Sequence, residues 1–219
     1  MPRMLFEKTG RAVWISHLDL MRVFQRAFHR AGLHLKHTQG FNPRPSVSIA
    51  LPLSVGITSN CELLDFELDN QNISNDEILK KINEVLIDGV HVLSVYDDGD
   101  KIKNLSKMKC GIHLEYDAGL PADVEQKIMD LFSQERVIVE KKNRNGTKEQ
   151  NIIPMMHHLE VSALDDHTLE LCVVVSCQNP ALNPMQINEA IGLYLPECAA
   201  DFVSYSRHEI YDSFDNIFR

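Results

Sequence analysis

Residues 16–45 read S-H-L-D-L-M-R-V-F-Q-R-A-F-H-R-A-G-L-H-L-K-H-T-Q-G-F-N-P-R-P. Ser16 followed by Asp19 fits a capping box, and Gly32 supplies a left-handed stop, so the spacing predicts a helix of about 16 residues between them. At about 100° per residue, Leu20, Phe24, Ala27, Phe28 and Ala31 gather on one side, and Asp19, Arg22, Arg26, His29 and Arg30 on the other. Leu33 to Thr38 then alternates with a period of two, which predicts a strand with Leu33 and Leu35 facing in and His34 out.

Outward from this stretch the same two periods repeat. Before it, residues 4–8 and 12–15 are short apolar runs around Thr9-Gly10-Arg11, expected as a bent strand or hairpin. After it, Val47 to Leu51 and Glu62 to Leu68 read as strands. Ser74-Asn75-Asp76-Glu77 starts a helix whose buried face is Ile78, Leu79, Ile82, Val85 and Leu86, and Val90 to Val95 is a further strand. Strand, helix, strand, strand, helix, strand is the ferredoxin-like order, a split βαβ unit with helices on one face of an antiparallel sheet.

Asp97 to Lys101 is the most polar break in the chain. A comparable order follows it, with strands from Cys110 to Tyr116 and Arg136 to Lys141 around a helix from Pro121 to Ser133. A turn is expected over Lys142 to Thr147 on its Asn-Gly signal. His157 to Leu164 and Thr168 to Val175 suit a hairpin, Asn183 to Leu193 a helix and Asp201 to Tyr211 a strand. The expected class is α+β, tandem ferredoxin-like units with antiparallel sheets. The basic unit is 1–98, the linker 99–108, and the acidic unit, with an inserted strand, 109–219.

The net charge is −9 over 219 residues. Residues 1–60 hold eight Lys/Arg against Glu7 and Asp19, a net of +6, which leaves −15 for the remainder. A basic region on an acidic body is the pattern of a protein that meets a polyanion with one face. Five scattered cysteines, none in a Cys-x-x-Cys or zinc-finger spacing, read as reduced thiols rather than a metal site. No apolar run is long enough to span a bilayer, and the start lacks the apolar core of a secretory signal, so the expected location is the cytoplasm.

Arg22, Arg26 and Arg30 recur one turn apart without an acid at i+4, the arrangement of a row of phosphate contacts, although a solvated helix face needs no ligand. Gly40-Phe41-Asn42-Pro43-Arg44-Pro45 is a loop stiffened by two prolines. Phe41, Asn42 and Arg44 on it suit base stacking and phosphate contact; in the alternative, Phe41 anchors the loop in the core. His17 is either a packed histidine or a general base or acid poised at the helix N-terminus.

Phe6-Glu7-Lys8-Thr9-Gly10, Ser16 to Arg22, Arg26-Ala27, Gly40-Phe41-Asn42-Pro43, Leu53, Gly56 and Glu62 resemble the signature of the radical-SAM-linked domain of unknown function. In that signature Ser16, Asp19, Gly40, Pro43 and Glu62 stand as structural positions. Lys148 to Pro154 resembles a second, weaker motif with Asn151 where the family shows Asp. The resemblance implies a radical SAM protein as partner, and that partner would carry the iron-sulfur cluster, S-adenosylmethionine and cobalamin, with no cofactor bound by this chain. It favours an accessory, substrate-presenting protein without catalytic activity of its own, RNA (tRNA or rRNA) being the expected substrate. The alternatives are a metal-independent RNA enzyme using His17 and a protein-interaction scaffold.

Overall fold

The computed structural model describes all residues except 70, 71, 144 and 145. The chain forms two compact units, Met1–Asn104 with Ile217–Arg219, and Leu105–Asn216.

In the first unit the strands are β1 (Arg3–Lys8), β2 (Val47–Ala50), β3 (Ile57–Phe66) and β4 (Val90–Tyr96), and the helices α1 (His17–Arg30) and α2 (Asn75–Asn83). The sheet order β4-β1-β3-β2 is antiparallel throughout. This is the ferredoxin-like arrangement expected from the element order. Met4 and Phe6 of β1 and Leu64 and Phe66 of β3 are fully buried with Phe24, Ala27 and Phe28 of α1. Phe24 meets Phe6 edge-on at 4.8 Å, and Phe28 meets Phe66 at 5.1 Å, so the apolar stripe of α1 fixes how the helix is rotated on the sheet. Arg3 of β1 is 4% exposed, bonds both carboxylate oxygens of Asp65 across the pair at 2.6 and 3.1 Å, and lies over the ring of Phe218.

Two expected strands in this unit are absent. Gly10–Trp14 is a 3-10 turn rather than the second half of a bent strand. Its residues follow the left-handed Gly10 (φ +52°), which turns the chain out of β1. Residues 33–38 form only two bridging pairs, Leu35 with Leu68 and His37 with Pro45, although Leu33 is buried and His34 exposed as the alternation requires. Pro45 lacks the N–H that a continuing ladder would use. β3 runs five residues further toward its N-terminus than its apolar pattern suggested, because Ser59 and Asn60 interrupt the pattern without interrupting the strand.

The second unit contains β5 (Leu105–Glu115), α3 (Val124–Phe132), β6 (Ile138–Asn143), β7 (Gly146–Asn151), β8 (Met156–Ala163), β9 (Thr168–Ser176), α4 (Met185–Tyr194) and β10 (Phe202–Asp212). Its sheet, β10-β5-β9-β8, repeats the order of the first. The insertion is a hairpin, β6 with β7, in a sheet of its own rather than one added strand. Arg144 and Asn145, on which the Asn-Gly turn signal falls, lie outside the described residues. β5 starts five residues ahead of Cys110, and α3 starts at Val124 rather than Pro121, after Asp123 in a left-handed conformation (φ +57°). Among the described residues no helix is long and apolar enough to cross a membrane.

Candidate nucleic-acid interface

The candidate site is built on α1. Ser16 is its N-cap: the hydroxyl accepts the Asp19 N–H at 3.2 Å and donates to the Asp19 carboxylate at 2.7 Å. The acid thus closes the cap on the hydroxyl. The helix ends in a Schellman turn, with the Gly32 N–H donating to the His29 carbonyl at 3.1 Å and the Leu33 N–H to that of Phe28 at 2.9 Å. Gly32 takes φ +68°, a value an L side chain strains to adopt.

The exposed face of α1 carries Leu18, Asp19, Arg22, Arg26, His29 and Arg30. These arginines are not equivalent. Arg22 pairs with Asp19 at 2.7 Å, and Asp19 is held below the usual carboxylate range by the Ser16 hydroxyl first and by Arg22 second. Arg30 donates from one guanidinium nitrogen to the Val85 carbonyl at 2.6 Å, which ties α1 to the segment after α2. The Arg26 side chain is exposed and makes no hydrogen bond or ion pair among the described residues.

The Gly40–Pro45 loop stands on a pinned base. The Thr38 N–H donates to the Arg44 carbonyl at 2.8 Å, and the Arg44 N–H to the Thr38 hydroxyl at 3.0 Å. Gly40, Phe41, Asn42, Pro43 and Arg44 are all exposed. Phe41 at 101% exposure is not the core anchor allowed as the alternative reading. The side chain of Arg44 has no partner among the described residues.

Between the second half of α1 and the base of this loop lies a cleft of 440 Å³, lined by apolar Phe28 and Leu33 and by Gln25, His29, His34 and His37. Pro45 brings the loop's end to this cleft, Asp69 adds an acid to its wall, and the α1 arginines are not among its lining residues. The sequence pattern showed the histidines one at a time and not their convergence.

Other members of the basic count serve the scaffold. Arg3 and Lys8 are buried, and Lys36 pairs with Glu67 at 3.2 Å. Lys8 Nζ donates to the carbonyls of Val13 at 3.2 Å and Ile15 at 2.8 Å, directly ahead of the α1 cap. Burial lowers the Lys8 pKa, and the charge of Glu62 opposes that shift. Glu62 is 1% exposed on β3, opposite Phe6. Both belong to the quoted signature, and their place is under the α1 entrance rather than at the surface.

His17 is half-buried in the first turn of α1 and has no hydrogen-bond partner among the described residues. A general base is ordinarily oriented by a second group, and none reaches this imidazole. Asn151 is fully engaged: its carbonyl oxygen accepts the N–H groups of Val137 at 3.0 Å and Ile153 at 3.4 Å, and its amide donates to the Glu135 carbonyl at 3.1 Å. It is a clamp at the root of the β6–β7 hairpin. No group of three His, Cys, Asp or Glu among the described residues is arranged to hold a metal ion.

Two ferredoxin-like units, the first with a basic helix face and an exposed loop, define the class of molecule. The chain belongs to the family described as uncharacterized protein conserved in bacteria (DUF2344), whose model matches residues 2–184. No curated protein matches it. Among solved structures, a chain of a Cbf5-Nop10-Gar1 complex is similar with a TM-score of 0.50 at 11% identity, over 95% of this chain and 48% of that one. A chain of an archaeal box H/ACA sRNP Nop10-Cbf5 complex gives 0.48 at 9% identity, over 94% of this chain and 46% of that one. The chain thus spans about half the length of these neighbours, and the likeness at 0.50 is one of fold.

Proposed function

We propose that this protein binds structured RNA through the exposed face of α1 and the Gly40–Pro45 loop, and presents it to a radical SAM protein as an accessory without catalysis of its own. The observation that carries the RNA reading is the pairing of unpartnered cations with an exposed aromatic. The side chains of Arg26 and Arg44 have no partner among the described residues, and Phe41 stands fully in solvent on the loop that bears Arg44. Guanidinium groups supply phosphate contacts, and an aromatic face supplies sequence-tolerant stacking.

The radical SAM partner rests on the signature resemblance, with the iron-sulfur cluster, S-adenosylmethionine and cobalamin residing in that partner. Purification of the native protein, with assay of the eluate for RNA and for a radical SAM polypeptide, tests both halves. Recovery of both supports the reading, and recovery of neither removes it.

A further inference from the structure

Trp14 is the chain's single tryptophan and is 72% exposed. Tryptophan is highly buried on average in folded proteins. The backbone around it is held on both sides. Lys8 Nζ takes the carbonyls of Val13 and Ile15, which bracket Trp14, and the Gly56 N–H donates to the Val13 carbonyl at 2.9 Å. The benzo edge of the indole lies against Gly56, where a Cβ would stand 3.4 Å from Cζ3, and Gly56 has φ +85°. One part of the ring is thus backed by main chain while most of it faces solvent.

The surroundings of the ring select the ligand. Leu18, four residues on, and Val55, beside Gly56 in the chain, are exposed apolar side chains as well. Arg11 is exposed on the same turn and has no partner among the described residues. From Leu18 the exposed face of α1 continues through Arg22 and Arg26 to His29, at successive positions near one side of the helix. An exposed indole two residues ahead of the α1 cap, with Arg11 on its own turn and Arg26 on the exposed helix face, suits a polymer that carries flat bases on an anionic backbone. An apolar peptide would find the platform but would leave Arg11 and Arg26 unanswered.

We infer that Trp14 is a nucleobase-stacking platform, at which an unpaired base of the bound RNA lies on the indole while its backbone runs along α1. This rests on the RNA-binding reading and adds to it the single-stranded character of the ligand at this end of the helix.

Because Trp14 is alone, its emission reports the contact directly. The full-length protein is titrated at low salt with a short oligoadenylate and, separately, with heparin, a polyanion without bases. Oligoadenylate should quench Trp14, heparin should compete for binding without quenching, and Trp14→Ala should weaken oligoadenylate about ten- to a hundredfold while Trp14→Phe retains most of the affinity. Oligoadenylate that binds without changing the emission, or binds Trp14→Ala as tightly as wild type, overturns the platform and leaves the RNA reading standing. No oligoadenylate or cellular RNA binding at all overturns both. An emission change with a co-purified radical SAM polypeptide but not with oligoadenylate assigns the patch to protein docking and also overturns the platform.

Discussion

The Nζ of Lys8 donates to the carbonyl of Ile15 at 2.8 Å, so a buried ammonium holds the turn that leads into α1. A lysine at 1% exposure is tolerated there because two carbonyls accept its protons and Glu62 supplies opposite charge.

Lys8→Met should therefore destabilise the first unit by about 1–3 kcal/mol, since it takes the charged donor away from the Val13 and Ile15 carbonyls. The pH dependence has a definite sign. Burial lowers the Lys8 pKa, so between the folded value and about 10.4 the unfolded chain binds the proton and the folded chain does not. Stability attributable to Lys8 rises with pH across that alkaline window. Urea midpoints of wild type and Lys8→Met measured through the window should move further apart as pH rises, because wild type gains stability there and the variant has no group to titrate.

Ser16→Ala removes the N-cap of α1 and should cost about 1 kcal/mol. It also removes the leading cause of the lowered Asp19 pKa. The Asp19 carboxyl, followed by NMR, should titrate closer to its ordinary value of about 3.9 in the variant. An unchanged titration would show that Arg22 alone sets it.

In the second unit, His208 accepts or donates a 2.7 Å hydrogen bond with Ser206, over Gly111, where a Cβ would come within 2.6 Å of the Ser206 hydroxyl. Burial lowers the His208 pKa; Lys109 and His113 push the same way and Glu170 opposes. A lowered folded value means that this unit keeps the contribution above about pH 6.5 and loses it as pH falls through the folded value. Thermal stability of this unit should fall on acidification, and His208→Gln should flatten part of that dependence. His157, whose pKa burial also lowers, accounts for a remainder.

The fold was legible where one periodicity ran unbroken. The 3.6-residue stripe of Leu20, Phe24, Ala27 and Phe28 fixed α1, and the capping residues fixed its ends. Legibility failed where tertiary contacts override local pattern. Ala12-Val13-Trp14-Ile15 is apolar enough for a strand, but Lys8 and Gly56 hold its carbonyls in a turn. Trp14 reads as part of a bent strand or hairpin and lies exposed on a 3-10 turn. At the interface, residue identity showed which side chains are cationic. It did not show that Arg30 is tied to Val85, that Lys8 lies in the core, or that His29, His34 and His37 meet at one cleft.

The most direct test of the central claim is filter binding of cellular RNA across a salt series with wild type, Arg26→Ala and Arg44→Ala. The predicted result is affinity that falls steeply with salt, weaker binding by each variant, and a log–log salt slope reduced by about one per arginine removed. RNA that is not retained even at low salt, or is retained equally by all three proteins with the same slope, would contradict the assignment of α1 and the Gly40–Pro45 loop as the binding surface.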